Sequence, residues 1–221
     1  MHSTNLDFAR YNMIEQQVRP WDVLDQRVLQ VMATVHREQF VPSDQESLAF
    51  MDIEIPLGHG EKMMSPKLEG RLLQALDIKP TDVAFEIGTG SGYLTACLAT
   101  LGSYVFSIDI HEEFHQQAKN RLNDLAIDNT TLWTGDAAQG WEQAPRNYDV
   151  IAVTGSIPEY DPCFERQLKL GGRLFIIVGT APIMTAMLVT RVSDKACTRT
   201  QLFETEVKSL VGREQKQQFV L

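Results

Sequence analysis

An α/β fold is expected for this chain: a doubly wound, mostly parallel seven-stranded sheet with helices on both faces and an N-terminal helical extension. Three observations lead there. Val83, Phe85 and Ile87 alternate as in a strand, and Leu94, Cys97, Leu98 and Leu101 recur at helical spacing just after them. Between the two lies Gly88-Thr89-Gly90-Ser91-Gly92, a turn bare enough for a ligand to approach backbone at a helix N-terminus. From Pro66 to Val178, strands and helices then alternate, which is the pattern of parallel strands joined by crossover helices. The arrangement is Rossmann-like.

Each element has a local reason. Residues 7–37 read as two helices punctuated by Pro20, the second running from about Leu24 to His36. Its apolar stripe is Val28, Leu29, Val31, Met32 and Val35, and Phe40-Val41-Pro42 closes the unit. Residues 52–66, broken by Pro56, Gly58, Gly60 and Pro66, read as a short strand and a loop. A helix over Leu68–Leu76 leads to a strand at Val83–Ile87 and a helix at Tyr93–Leu101. A strand at Tyr104–Ile108, a helix at Glu112–Leu125, and short strands at Thr131–Thr134 and Val150–Val153 follow. A helix over Pro162–Leu168 precedes Gly171-Gly172 and a fully buried strand, Arg173–Val178. Thr185–Val192 and Gln201–Leu210 have no long helix between them, so they are expected to pair antiparallel. One domain is expected over 1–221, in three parts. These are N-terminal helices with a substrate-side loop (1–65), a cofactor-binding core (66–180) and C-terminal strands (181–221).

Composition bounds the function. A length of 221 residues allows one full hydrophobic core, and 43% hydrophobic with 22% charged residues is ordinary globular usage. A net charge of −9 argues against nucleic acid as a partner, because phosphate backbones need clustered Lys and Arg. No stretch reaches the ~18 apolar residues of a membrane span. Met1 to Arg10 lacks the apolar run of a signal peptide. Cys97, Cys163 and Cys197 lie far apart without metal-ligand spacing, which suggests reduced thiols, a cytoplasmic protein and no metal centre. Cys97 falls on the apolar face of its helix and is expected to pack in the core. No heptads indicate an oligomeric state.

The glycine turn lacks two common signatures. A dinucleotide fingerprint would put a third glycine at position 93, where Tyr93 stands, and no Gly-Lys-Ser/Thr follows as in a phosphate loop. Instead, Glu86 precedes the turn. Asp109 ends the next strand 21 residues beyond Gly88, where a carboxylate can accept from ribose hydroxyls. Asp136 follows the strand after that, where a carboxylate can accept from the adenine amine. Three acids without a phosphate clamp suit S-adenosyl-L-methionine, whose sulfonium and amino groups carry positive charge. A nicotinamide cofactor is the alternative. The expected cofactor set is Glu86, Gly88, Thr89, Gly90, Gly92, Tyr93, Asp109, Ile110, Asp136 and Ala137.

Four segments resemble the protein-L-isoaspartate O-methyltransferases. Met13-Ile14-Glu15-Gln16-Gln17-Val18 with Asp25-Gln26-Arg27-Val28-Leu29 is similar to that family's N-terminal helices. His36-Arg37-Glu38-Gln39-Phe40-Val41-Pro42 is similar to its "PRExFVP" segment, and Glu86 to Tyr93 to its "EIGTGSGY" turn. Tyr148 to Thr154 and Gln167 to Leu174 resemble its later strands and their connection. The resemblance runs from about Met13 to Gly179. It implies methyl transfer from S-adenosyl-L-methionine to the carboxylate of an isoaspartyl residue in a damaged protein or peptide. Such a carboxylate is already ionised at pH 7, so alignment and exclusion of water matter more than a general base.

The resemblance breaks in one loop. Where the family reads roughly G-x-G-Q-T-I-S-Q-P, this chain has Gly58-His59-Gly60-Glu61-Lys62-Met63-Met64-Ser65-Pro66. Lys62 stands for the Thr, Met64 for the Ser, and Ser65 comes one residue late. Arg19-Pro20 replaces Arg-Gly, and Gly155-Ser156 replaces small alanines. Ser65, Lys62 and Thr154 are the expected acceptor-side residues, with Met63 and Met64 lining the pocket. His59 and His111 are expected to be loop residues near the site. Three readings remain open at this point: an isoaspartyl methyltransferase, a methyltransferase with a different (small-molecule or protein) acceptor, and a non-catalytic regulatory protein that binds the same cofactor.

Overall fold

The computed structural model describes residues 2–141 and 147–214; the ends of the expected 1–221 domain lie outside the described residues. One seven-stranded sheet dominates, in the order β5-β4-β3-β6-β7-β8-β9. Its strands are β3 (Val83–Ile87), β4 (Tyr104–Asp109), β5 (Thr130–Thr134), β6 (Tyr148–Ile157), β7 (Leu168–Thr180), β8 (Ile183–Ser193) and β9 (Ala196–Thr205). The first five in spatial order pair in parallel, and β8 and β9 add antiparallel, as the missing helix between them predicts. The strand order reverses at β3, so the turn after Ile87 opens at the topological switch point.

Helices α3 (Pro66–Leu76), α4 (Tyr93–Leu101) and α5 (Glu112–Asp124) lie at their expected places. The N-terminal extension differs in detail. Helix α1 (His2–Met13) runs on through a π turn (Ile14–Val18) and a 3₁₀ turn (Arg19–Trp21) that contains Pro20. Helix α2 (Gln26–Thr34) is shorter than expected, because the Asp25 side chain accepts from Arg27 N at 2.8 Å and caps it there. Leu24 is left exposed outside it. Residues 52–66 form a hairpin of β1 (Ile55–Gly58) and β2 (Glu61–Met63).

Two further expectations are corrected. Pro162–Leu168 is a single 3₁₀ turn, Phe164–Gln167, because Leu168 already pairs with Tyr148 at the start of β7. The last strand ends at Thr205, so residues 207–210 leave the sheet. They cross the end of β6, where Ser156 N donates to Lys208 O at 3.0 Å and Leu210 N to Ser156 O at 2.9 Å.

Alternation along the strands separates two cores. Ala84, Val105, Val150, Ala152 and Phe175 face the N-terminal helices, α3 and α4, with Cys97 buried among them. Phe85, Ile87, Ile108, Ile151 and Val153 face the other way, onto Tyr148 and Phe164. Among the described residues no helix is long and apolar enough to cross a membrane.

Candidate active site

A cavity opens at the C-terminal ends of β3, β4 and β6, occupying about 1000 Å³ with its mouth. Its floor is Glu86, fully buried in β3. Oε2 accepts from Ser107 Oγ at 2.6 Å and from the Thr95 hydroxyl. Oε1 is buried without a hydrogen-bond partner among the described residues. Burial pushes this carboxyl up to about 8, against the bonds from Ser107 and Thr95, and the nearby Asp109 and Glu69 push the same way. Thr89 Oγ1 lies 2.6 Å from Ser107 Oγ and extends the network to the glycine turn.

The turn is fixed from both sides. Gly88 has φ +95°, and a Cβ there would lie 2.1 Å from Thr154 Oγ1. That hydroxyl donates between Ile87 O at 2.9 Å and Gly88 O at 3.0 Å, so glycine is required by steric contact and by conformation. On the other side, Gly90 N donates to Asp109 Oδ2 at 2.8 Å and His111 N to Oδ1 at 2.9 Å. Burial raises the Asp109 carboxyl, and these two backbone bonds oppose the rise. Each oxygen keeps a lone pair for a ligand. Asp136 Oδ1 accepts from Ala138 N at 2.9 Å, which aims the loop after β5 at the same cavity.

The opposite wall comes from two distant segments. The β1–β2 hairpin and its stems supply Glu54, Leu57, Glu61, Lys62, Met63 and Met64. The strap after β9 supplies Val207 to Val211. Lys62 Nζ pairs with Glu54 Oε2 at 2.9 Å. Lys208 Nζ donates to Gly60 O at 3.2 Å and pairs with Glu61, joining strap to hairpin. The strap fits because Ser156 Oγ donates to Val207 O at 3.1 Å. It also fits because position 155 is glycine: a Cβ there would lie 2.7 Å from Leu210 Cδ2. His59 and His111 stack with ring centroids 4.4 Å apart, tying the hairpin to the turn after β4.

Of the expected site residues, Glu86, Gly88, Thr89, Gly90, Asp109, Ile110, Asp136, Ala137, Lys62 and Thr154 line this one cavity. Three do not. Tyr93 is a core residue whose ring packs against Phe40 at 5.6 Å and under the Arg37 guanidinium at 5.6 Å. Gly92 lies against Ala118 of α5, and a Cβ there would come within 2.8 Å of the Ala118 Cβ, so helix packing sets it. Ser65 precedes α3, and its carbonyl accepts from Leu68 N and Glu69 N, both at 3.1 Å. Thr154 reaches the cavity, but its hydroxyl is committed to the turn. Met63 and Met64 line the cavity as expected.

Sequence reasoning missed Glu69 and the strap. Glu69 is 1% exposed and lines the cavity. A signal existed, since Glu69 falls on the buried stripe of α3 with Leu72 and Leu76. Burial lifts its carboxyl to about 7 even with Arg37 beside it.

The donor set fits a cationic ligand bearing hydroxyls. Six carboxylates and two lysines line the cavity, so a pyrophosphate would meet repulsion and a sulfonium attraction. The unpartnered Oε1 of Glu86 is the sharpest sign, because a buried lone carboxylate oxygen is costly unless a ligand or proton satisfies it.

Comparisons with known proteins agree. The sequence pattern of the family described as Protein-L-isoaspartate(D-aspartate) O-methyltransferase matches residues 9–215. A protein-L-isoaspartate O-methyltransferase from Koribacter versatilis is 36% identical over 212 residues, 96% of this chain and 94% of that protein. One from Petrotoga mobilis is 35% identical over 191 residues, 86% of this chain and 90% of its own length. A Plasmodium falciparum chain assigned to the same methyltransferases was solved in complex with S-adenosyl-L-homocysteine. It shares the fold at a TM-score of 0.76 and 21% identity, over 90% of this chain and 96% of that one. This chain belongs to the protein-L-isoaspartate(D-aspartate) O-methyltransferase family.

Proposed function

We propose that this chain methylates the carboxylate of isoaspartyl residues in damaged proteins or peptides, with S-adenosyl-L-methionine as donor. When bound, that cofactor supplies an electrophilic methyl group on a cationic sulfur. The observation that carries the reading is the buried, unpartnered Glu86 oxygen at the foot of a cavity with Asp109 and Asp136 on successive strand ends. Glu86 would face the cationic part of the cofactor, Asp109 its ribose hydroxyls and Asp136 its adenine amine. Gly88 and Gly90 would present bare backbone to it.

On the other wall, the acceptor needs no base, because its carboxylate is ionised at neutral pH. The chain's work is to attract, orient and dry that carboxylate. The Lys62 ammonium at the mouth attracts it, in exchange for Glu54. Met63, Met64 and Leu57 exclude water behind it. Lys62 and Met64 also favour a second reading, a different carboxylate acceptor, since the loop hydroxyls seen in the family pattern are replaced by a cation and a thioether.

The test incubates the chain with labelled cofactor and either an isoaspartyl peptide or its normal aspartyl isomer. Methyl ester should form on the isoaspartyl peptide alone. Ester on another carboxylate compound but on neither peptide supports the second reading. Cofactor binding with no methyl transfer to either peptide or to a whole-cell extract overturns both.

A further inference from the structure

Arg37 is completely buried, behind two residues of the cavity lining, Met64 and Glu69. A buried guanidinium is tolerated only where its donors are fully engaged. Here three of its nitrogens point in three directions. Nη1 donates to Ala49 O at 2.9 Å, Nη2 to Met64 O at 2.6 Å and Nε to Glu69 Oε2 at 3.0 Å. The face of the guanidinium rests on the Tyr93 ring.

These partners are not a random set. Ala49 and Met64 bracket the segment that carries the β1–β2 hairpin, so one side chain holds both of its stems. Met64 and Glu69 themselves line the cavity. Arg37 sits in the 3₁₀ turn Arg37–Phe40, within the His36–Pro42 segment that the cofactor and acceptor roles left unused. The planar fork of an arginine can bind two carbonyls and a carboxylate at once; a lysine offers one nitrogen and cannot span them.

We propose that Arg37 is a positioning residue for the methyl acceptor. It fixes the hairpin stems and the Glu69 carboxylate from behind, and so sets the wall that faces the glycine turn. The inference rests on the reading that this wall receives the acceptor. It predicts that loss of the fork loosens the hairpin and not the cofactor wall, which is held separately by Asp109 and Thr154.

The test compares wild type with Arg37→Lys and Glu69→Gln in three measurements: isoaspartyl-peptide kinetics, S-adenosylhomocysteine affinity and amide hydrogen exchange. Arg37→Lys should raise peptide KM by about tenfold, with Kd for S-adenosylhomocysteine within about threefold of wild type. Amides of residues 50–63 should exchange faster, and those of β3 and β4 should not. KM and Kd rising by the same factor would show general loosening and overturn the proposal, as would KM and exchange that both stay unchanged. If Arg37→Lys does not fold, Glu69→Gln carries the test, because it leaves both carbonyl bonds in place. Its KM should rise by at most about threefold with the hairpin amides still protected. A tenfold rise with protected amides would place the effect in Glu69 and overturn the role of Arg37. A wild-type protein that methylates no isoaspartyl peptide defeats the functional reading instead, and the exchange comparison still decides whether Arg37 holds the hairpin.

Discussion

The two walls of the cavity are built by different means. The wall proposed to hold the cofactor comes from neighbouring strands β5, β4, β3 and β6, and its side chains sit at or just past the ends of those strands. Each is locked close at hand: Asp109 by the backbone N–H groups of Gly90 and His111, Glu86 by the Ser107 and Thr95 hydroxyls, and the turn by the Thr154 hydroxyl. The wall proposed to receive the acceptor comes from residues 54–64 and 207–211, which meet through Lys208, Gly60 and Glu61. Topology dictates the first wall, and a few long-range side-chain contacts dictate the second. The second can therefore change composition without disturbing the sheet, and this is where the chain departs from its family's loop.

Two glycine substitutions should separate the walls most sharply. In Gly88→Ala the new Cβ would strike Thr154 Oγ1 at 2.1 Å, in a left-handed conformation besides. The expected cost is roughly 2–4 kcal/mol of stability and a Kd for S-adenosylhomocysteine raised about 100-fold or more. In Gly155→Ala the Cβ would meet Leu210 of the strap, Cδ2 at 2.7 Å and the backbone N at 3.1 Å, so the strap must shift. There peptide KM should rise by about tenfold, with the Kd for S-adenosylhomocysteine changed by less than about fivefold. Calorimetric titration and steady-state kinetics on both variants check this. Equal loss of cofactor affinity in the two would mean that the walls act as one.

How much of each wall is legible in the sequence follows the same division. Strand-end positions are carried by local periodicity, so Glu86, Gly88, Asp109 and Asp136 can be read from the order of residues alone. Tyr93 and Gly92 cannot be assigned correctly that way, because the point where a glycine turn stops facing ligand and starts facing core is set by packing against Phe40 and Ala118. The strap is hidden for another reason. Residues 207–210 follow closely on strand β9, and the contacts that draw them across the end of β6, with Ser156 some fifty residues earlier and with the distant Gly60 and Glu61, are long-range. Ser65 reads as a loop hydroxyl, but Pro66 after it starts a helix and turns it into that helix's first acceptor. Glu69 is readable as a carboxylate on a buried helical stripe, though its partner Arg37 lies 32 residues away and is not.

A smaller effect tests the electrostatics of the cofactor wall alone. The folded protein holds the Glu86 proton up to about pH 8, whereas an unfolded glutamate releases it near 4.5. The folded state thus binds the extra proton between these values, and stability from this group is complete below about 4.5 and is lost as pH rises towards 8. Glu86→Gln should flatten that decline, gaining on wild type by ~1 kcal/mol or more between about pH 5 and pH 8 in urea unfolding. A cationic ligand favours the ionised form, so wild type should release a proton on binding S-adenosylmethionine at neutral pH and the variant should not. Titration in buffers of different ionisation enthalpy measures that proton directly. Release by the Gln variant as well would move the proton to another group and remove Glu86 from contact with the cation.

The smallest effect is expected at the rim of the acceptor wall, and it decides whether Lys62 attracts the acceptor at all. Its ammonium is about half-exposed and paired with Glu54 at 2.9 Å, so water and salt weaken whatever it does. The pairing with Glu54 holds its pKa above the ordinary lysine value, so it stays charged across the working pH range. Lys62→Met preserves the length and apolar stem while removing the charge. Peptide KM should rise by roughly threefold at low salt, with kcat unchanged, because the charge steers and holds an anion and does not touch the reacting bond. At about 0.5 M salt the screening length is shorter than the reach of the side chain, and wild type and variant should converge. A KM difference that survives high salt would mean that Lys62 acts by contact within a dry pocket. The acceptor wall would then be as rigidly built as the cofactor wall, and the contrast between them would fail at its most exposed residue.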